Sequence, residues 1–301
     1  MAKQHLGFGN VLIAITQDSK ADPTARQAAA LAFKNWIKNS WAPEEGEEGQ
    51  IATADRDGLK AKLVSVLISL ANSPSLLIQY SEAISIIATS DFPEQWPDLI
   101  DQLVQNFNQN DWNANNALLS TAHAIFKSLI LLCVGGAPSS GQTLCLRKSN
   151  MSWTASANPT GHSTLTNLAP NLPRSDQQTL AKSLLLMIQI YYDLNCQDIP
   201  EYFEDHLTEF MNLLHKYLTW DIPYLVSEQQ AEADDEEEGE AGDLEKIRAG
   251  ICEVVELYSL RYLDVFPMMD VFVKTCWDML TKLGRHQRSD ILLIDATVFS
   301  S

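Results

Sequence analysis

The sequence holds 301 residues, enough for a large core or an extended array, and 46% of them are hydrophobic, which excludes a chain disordered throughout. Formal net charge is −18, and ten of the 39 acidic residues lie between Glu228 and Glu245 with no basic residue among them. The rest of the surface is ordinary, and no basic face exists to neutralise phosphates, so nucleic acid is not an expected partner.

The five cysteines, Cys133, Cys145, Cys196, Cys252 and Cys276, form no CxxC motif for metal or redox chemistry. Their number is odd and no secretory signal opens the sequence as given, which predicts a reducing compartment. No apolar run reaches the roughly 18 residues that span a bilayer, so membrane insertion is not expected.

In chain order, Phe8–Thr16 reads as a short helix with Val11, Leu12 and Ile15 on one side. Asp22 is a candidate N-cap, Pro23 suits the first helical position, and a helix follows to Trp41 with Ala28, Leu31, Ala32 and Ile37 as its apolar stripe. Pro43 stops it, and Glu44–Gly49 is an acidic loop. Leu59, Leu63, Val66, Leu67 and Leu70 mark the next helix. After the turn at Asn72-Ser-Pro74 comes Leu76–Ala88, with Ile84, Ile87 and Ala88 inward. Another helix starts near Trp96 and runs to about Phe107, and Trp112–Lys127 completes a third helix–turn–helix unit. A period near 45 residues fits HEAT-type arrays, which repeat every ~40–47 residues.

From Ser128 to Ser175 there is no aspartate or glutamate, glycine and proline are frequent, and no helical period is clear. Helical spacing resumes over Gln177–Tyr192. Asp198-Ile-Pro200 is read as the cap of one helix, Glu201–Leu218, with Phe203, Leu207, Phe210, Leu214 and Leu218 inward. The acidic loop follows, and Leu244–Tyr262 and Phe266–Leu283 form an antiparallel pair around Pro267.

No catalytic constellation stands out. The histidines form no HExxH pattern, and His206 and His215 fall on different helix faces. Glu201, Glu204 and Asp205 sit at a helix N-terminus, where carboxylates favour the dipole. There is no phosphate loop and no nucleophile elbow. Neither a cofactor nor a metal is expected. Trp36, Trp41 and Trp96 suit either plugs at the ends of helix pairs or anchors for a partner. Lys34, Asn35 and Lys38 lie near one helix face, which is a solvated face or a seat for an acidic partner. The run Glu228–Glu245 is likewise a solvated loop or a dock for a basic patch.

Arg26-Gln-Ala-Ala-Ala-Leu-Ala-Phe-Lys-Asn-Trp-Ile-Lys-Asn-Ser-Trp41 resembles the N-terminal motif of the importin-β superfamily. Glu82–Pro97, Ala122–Lys127, Tyr191–His206 and Tyr262–Phe266 narrow the resemblance to the branch that re-exports importin-α, the stretch Asn195-Cys-Gln-Asp-Ile-Pro200 being the most specific. The resemblance implies an all-α fold, a HEAT-repeat α-solenoid forming part of a right-handed superhelix. It implies a nuclear transport receptor that binds Ran-GTP, exports importin-α, meets nucleoporins and shuttles between nucleus and cytoplasm. On it, the contacts to Ran fall on Pro23–Ser40, Leu76–Ser90 and Trp112–Lys127, and the expected polar contacts are Lys34, Asn35, Lys38, Glu82 and Asp91. The rival expectation is a HEAT scaffold without Ran dependence.

Departures from the family are also expected. The resemblance implies members about three times longer, and on it roughly the first helix pair and the terminal caps are expected to be missing from the sequence as given. The chain divides into HEAT repeats over 1–127, an irregular segment at 128–175, further repeats over 176–284 with the acidic loop 228–245, and a divergent tail at 285–301. Where the family continues Ile-Phe-Lys with Arg-Trp-Arg-Pro-Leu-Phe-Arg-Ser-Asp, this sequence reads Gly135-Gly-Ala-Pro-Ser-Ser-Gly-Gln-Thr143. Codons for the latter can be written so that a shifted frame gives Trp-Arg-Pro-Leu-Phe-Arg-Ser-Asp. Residues 128–175 are therefore expected to be translated intron followed by an out-of-frame exon, against the rival of a natural insertion.

Overall fold

Asp22 ends a turn and begins a helix: its carboxylate accepts hydrogen bonds from Thr24 N (3.0 Å) and Ala25 N (3.1 Å), and Pro23 takes the first helical position. The same logic of short turns and amphipathic helices recurs throughout the computed structural model, which describes residues 7–42, 51–108, 111–135, 174–219, 242–266 and 268–283. These form two units, Met1–His162 and Ser163–Ser301. Among the described residues all regular structure is helical.

The first unit contains α1 (Phe8–Gln17), α2 (Pro23–Ser40), α3 (Thr53–Ser69), α4 (Pro74–Asp91), α5 (Leu99–Gln105) and α6 (Trp112–Gly135). They stack as the three expected helix pairs. The second helices form one row, α2 on α4 and α4 on α6, while α1 and α3 pack behind them. Phe33 and Tyr80, both fully buried, stack at 4.7 Å between α2 and α4. Burying aromatics of this size stabilises by about 2–3 kcal/mol each. Trp36 meets Phe8 edge-on at 5.5 Å. A Cβ on Gly9 would lie 2.6 Å from the Trp36 ring, so only glycine lets α1 approach this closely.

The apolar stripes of α1 and α2 differ from expectation. In α1 the buried side chains are Leu12, Ile13 and Thr16, and Val11 and Ile15 are exposed. In α2 Ile37 is buried as expected, but Ala29, Ala30, Phe33 and Trp36 complete the buried face, and Ala28, Leu31 and Ala32 are exposed. An alanine-rich helix offers several near-equivalent stripes, and the bulkier Phe33 and Trp36 decide which turns inward. The Leu59–Leu70 stripe and Ile84, Ile87 and Ala88 are buried as read.

Polar groups close the remaining joints. Tyr80 Oη donates to Thr16 Oγ1 (3.2 Å), and burial pushes the phenol up to about 12. Ser85 Oγ bonds Ala124 O (3.1 Å) and Ser128 Oγ (2.8 Å), tying α4 to α6. Buried Asn115 donates to Asn108 O (2.7 Å) and accepts from Asn108 N (2.9 Å), fixing the turn before α6. That helix continues past Lys127 to Gly135, with Leu129 buried, so the start of the acid-free stretch is helical. The rest of that stretch from 136 to 173, the loop 43–50, residues 220–241 and the tail from 284 lie outside the described residues.

The second unit contains α7 (Arg174–Asn195), α8 (Glu201–Asp205), α9 (Leu207–Leu218), α10 (Asp243–Arg261), a 3-10 turn at Leu263–Val265, and α11 (Met269–Leu283). The core is α7 against α10. There Tyr191 Oη and Tyr258 Oη lie 2.9 Å apart, Tyr258 donates to Asn195 Oδ1 (3.1 Å), and Asn195 Nδ2 donates to Tyr191 O (2.7 Å). Burial raises both phenols.

The single helix expected over Glu201–Leu218 is broken at His206 (φ −108°, ψ 14°). The imidazole stacks on Tyr202 and places Nδ1 2.9 Å from the Tyr202 carbonyl, which makes Nδ1 the protonated donor. This step brings both Phe203 (5.0 Å) and Phe210 (5.1 Å) onto the Tyr191 ring. The cap position before α8 is Pro200, with no side-chain cap, rather than Asp198.

Candidate partner-binding face

Across the α2–α4 contact, Lys34 Nζ and Glu82 Oε2 form an ion pair at 3.2 Å. Lys34 is only 18% exposed at the side chain and Glu82 50%, so the lysine stem lies against the helices while the carboxylate faces water. One turn earlier on each helix stand two exposed aliphatics, Leu31 and Ile78, 44% and 59% exposed. One turn later on α2 is exposed Lys38, and Asn35 is exposed beside Lys34. Helical neighbours at three and four residues share a face. The row therefore presents an aliphatic pair, a bridged charge pair and a cation with no ion-pair partner among the described residues, in sequence. Such mixed strips suit protein recognition: apolar anchors supply contact area and rim charges steer and orient.

Four of the expected contact residues, Lys34, Asn35, Lys38 and Glu82, thus share this face. Asp91 does not. It is 1% exposed, accepts from Trp41 Nε1 (3.0 Å) and pairs with the Lys60 ammonium. Burial alone would raise its carboxyl, but the hydrogen bonds from Lys60 and Trp41 outweigh it and hold the group below the usual carboxylate range. Lys60 Nζ also donates to Gln95 O (2.9 Å), and Arg56 lies over the Trp41 ring at 5.0 Å while donating to its carbonyl. Asp91 therefore locks the ends of α2 and α4 to α3, and its charge is spent inside the fold. Trp36, Trp41 and Trp96 are likewise buried plugs, at 5%, 1% and 2% exposure.

Lys60 and Arg56 escaped the sequence reading because each sits in an amphipathic helix as an ordinary surface cation would. The one available signal was the twofold recurrence of a tryptophan turn, which Trp41 and Asp91 share. His215 Nε2 bonds Thr275 Oγ1 (2.8 Å), a packing role. Among the described residues no cluster of His, Cys, Asp and Glu could hold a metal ion, and no helix is long and apolar enough to cross a membrane.

A row of paired helices with a mixed polar and aliphatic face defines a helical-repeat protein. Residues 1–69 match the family model for the importin-beta N-terminal domain, and residues 165–301 match the Cse1 family model. The sequence is 36% identical to the importin-alpha re-exporter of Schizosaccharomyces pombe over 98% of this chain and 29% of that protein. It is 33% identical to human exportin-2 over 96% of this chain and 28% of that one. A solved structure of the exportin Cse1 in its cargo-free, cytoplasmic state superposes with a TM-score of 0.82 at 34% identity, covering 98% of this chain and 30% of its own. The chain belongs to the importin-α re-exporter family of the importin-β superfamily, with the HEAT-solenoid fold expected for it. It spans less than a third of the length of these relatives.

Proposed function

We propose that this chain acts as part of a nuclear transport receptor that binds Ran-GTP and carries importin-α from nucleus to cytoplasm. The observation that supports this is the match to importin-alpha re-exporters across nearly the whole chain. The relatives are transport receptors, and this chain is assigned no chemistry of its own: GTP hydrolysis belongs to Ran. Its contribution is differential affinity, since a receptor favours the GTP form only as far as it binds that form more tightly.

Ran-GTP is assigned to the row α2–α4–α6, with Lys34, Asn35, Lys38 and Glu82 as polar contacts. Importin-α and nucleoporins are the further partners, and the protein shuttles through the nuclear pore between nucleus and cytoplasm. A pull-down on this chain with Ran loaded with GTP or with GDP tests the reading. Preferential capture of the GTP form is expected. Equal capture of both forms would overturn Ran dependence and leave a helical-repeat scaffold.

A further inference from the structure

The last helix pair packs on one side and presents apolar residues on the other. α10 turns Gly250 and Tyr258 toward α7: a Cβ on Gly250 would lie 3.3 Å from Ile188, and Tyr258 Oη meets Tyr191 Oη at 2.9 Å. α11 turns Phe272 and Thr275 toward α9, where both meet the His215 ring. At about 100° per residue, the second residue after Tyr258 or Thr275 points to the opposite side of its helix. Those residues are Leu260, 74% exposed, and Trp277, 66% exposed. Val273, one turn before Trp277, is also exposed, and Leu280, one turn after, is half-buried. Val273, Trp277 and Leu280 thus form a stripe at i, i+4 and i+7 on the side of α11 away from α9.

Beyond Leu283 the sequence continues for 18 residues. Gly284-Arg-His-Gln-Arg-Ser-Asp290 holds no apolar side chain, and Ile291-Leu-Leu-Ile-Asp-Ala-Thr-Val-Phe299 is mostly apolar. Within it Leu292, Ala296 and Phe299 repeat the i, i+4, i+7 spacing of the stripe. We propose that Ile291–Phe299 folds back antiparallel to α11 in the same chain and covers Val273, Trp277 and Leu280. Gly284 suits a helix end. The linker Gly284–Asp290 reaches up to about 23 Å when extended, while packed helix axes lie only about 8–10 Å apart, and connections of this length are ordinary between helices. As a helix, Ile291–Phe299 is about 12 Å long, against about 10 Å for the stripe. The antiparallel order sets Leu292 against Leu280 and Phe299 against Val273. Ala296 then falls opposite Trp277, where a small residue leaves room for the indole. The divergent tail becomes the closing layer of the second unit, as an array of stacked helix pairs requires at an end.

Hydroxyl-radical footprinting of the full chain, with oxidation of Trp277 read by mass spectrometry, tests this. In the wild type Trp277 should oxidise slowly, at a rate independent of protein concentration. In Leu292→Asp and in Phe299→Asp it should oxidise several-fold faster, with Trp41 and Trp96 unchanged and helicity retained by circular dichroism. The proposal is overturned if wild-type Trp277 oxidises as fast as in both variants. Protection that disappears on dilution also overturns it, by giving the stripe to a second copy of the chain. So does protection that survives both substitutions, which would give the stripe to another segment.

Discussion

Replacing Asp91 with asparagine removes one charge from a buried pair while leaving the volume almost unchanged. Deleting one partner of such a pair costs about 3–5 kcal/mol, because the other charge stays buried. Lys60 keeps its bond to Gln95 O and is 10% exposed at the side chain. Partial rehydration therefore puts the cost at the lower end, about 3 kcal/mol. For the unit Met1–His162 this lowers Tm by about 6–12 °C, at about 2–4 °C per kcal/mol. Urea titration followed by tryptophan fluorescence reads the change directly, since Trp41 donates to the altered carboxylate. Glu82→Gln is the matched control: it breaks an ion pair whose carboxylate is half exposed, and such pairs contribute under about 1 kcal/mol. The pH dependence has a definite sign. The Asp91 carboxyl is held below its ordinary value of 3.8, so its contribution is complete above that value and is lost as pH falls through the lower, folded one. The wild type should therefore converge on Asp91→Asn only under strong acid. Equal losses in the two variants at neutral pH would refute the assignment of Asp91 as an internal lock.

Gly9→Ala places a methyl 2.6 Å from the Trp36 ring and should cost about 1–3 kcal/mol in the same titration; no loss would mean α1 and α2 separate freely. Lys38→Glu should weaken capture of Ran-GTP while leaving the urea midpoint within about 0.5 kcal/mol, as befits an exposed site; unchanged capture would remove Lys38 from the contact set. Sequencing the transcript across the codons for Ile125 to Asp193 should reveal an intron and restore Arg-Trp-Arg-Pro. A message encoding Gly135-Gly136 as written would make the insertion natural.

The helix pairs were legible because each carries its own signals within a few residues: Asp22-Pro23 opening α2, the Leu59–Leu70 stripe, the turn at Pro74. The break at His206 was not, since the alternating i+4 and i+3 spacing of Phe203, Leu207, Phe210 and Leu214 reads through it without interruption. Only Tyr191, on another helix, requires Phe203 and Phe210 to converge. The buried polar joints were illegible for the same reason. Asp91 meets Trp41 and Lys60, and Tyr258 meets Asn195, across separations that no local pattern encodes.

This difference bears on the candidate face. Read locally, Lys34, Lys38 and Asp91 are three equivalent surface charges on paired helices. In the fold, Asp91 sits where α2 and α4 end over α3, and desolvation there would be prohibitive without Lys60 and Trp41. Lys34 sits midway along the contact, bridged to Glu82, and spans the helices without burying both charges. Lys38, one turn on, has no acidic group within ion-pair distance among the described residues. A partner's carboxylate would therefore gain most at Lys38, with no internal bond to break. At Lys34 it would have to displace Glu82, so Lys38→Glu should weaken capture of Ran-GTP more than Lys34→Gln does. The reverse order would mean that the bridge itself, rather than the unbridged cation, is the recognised feature.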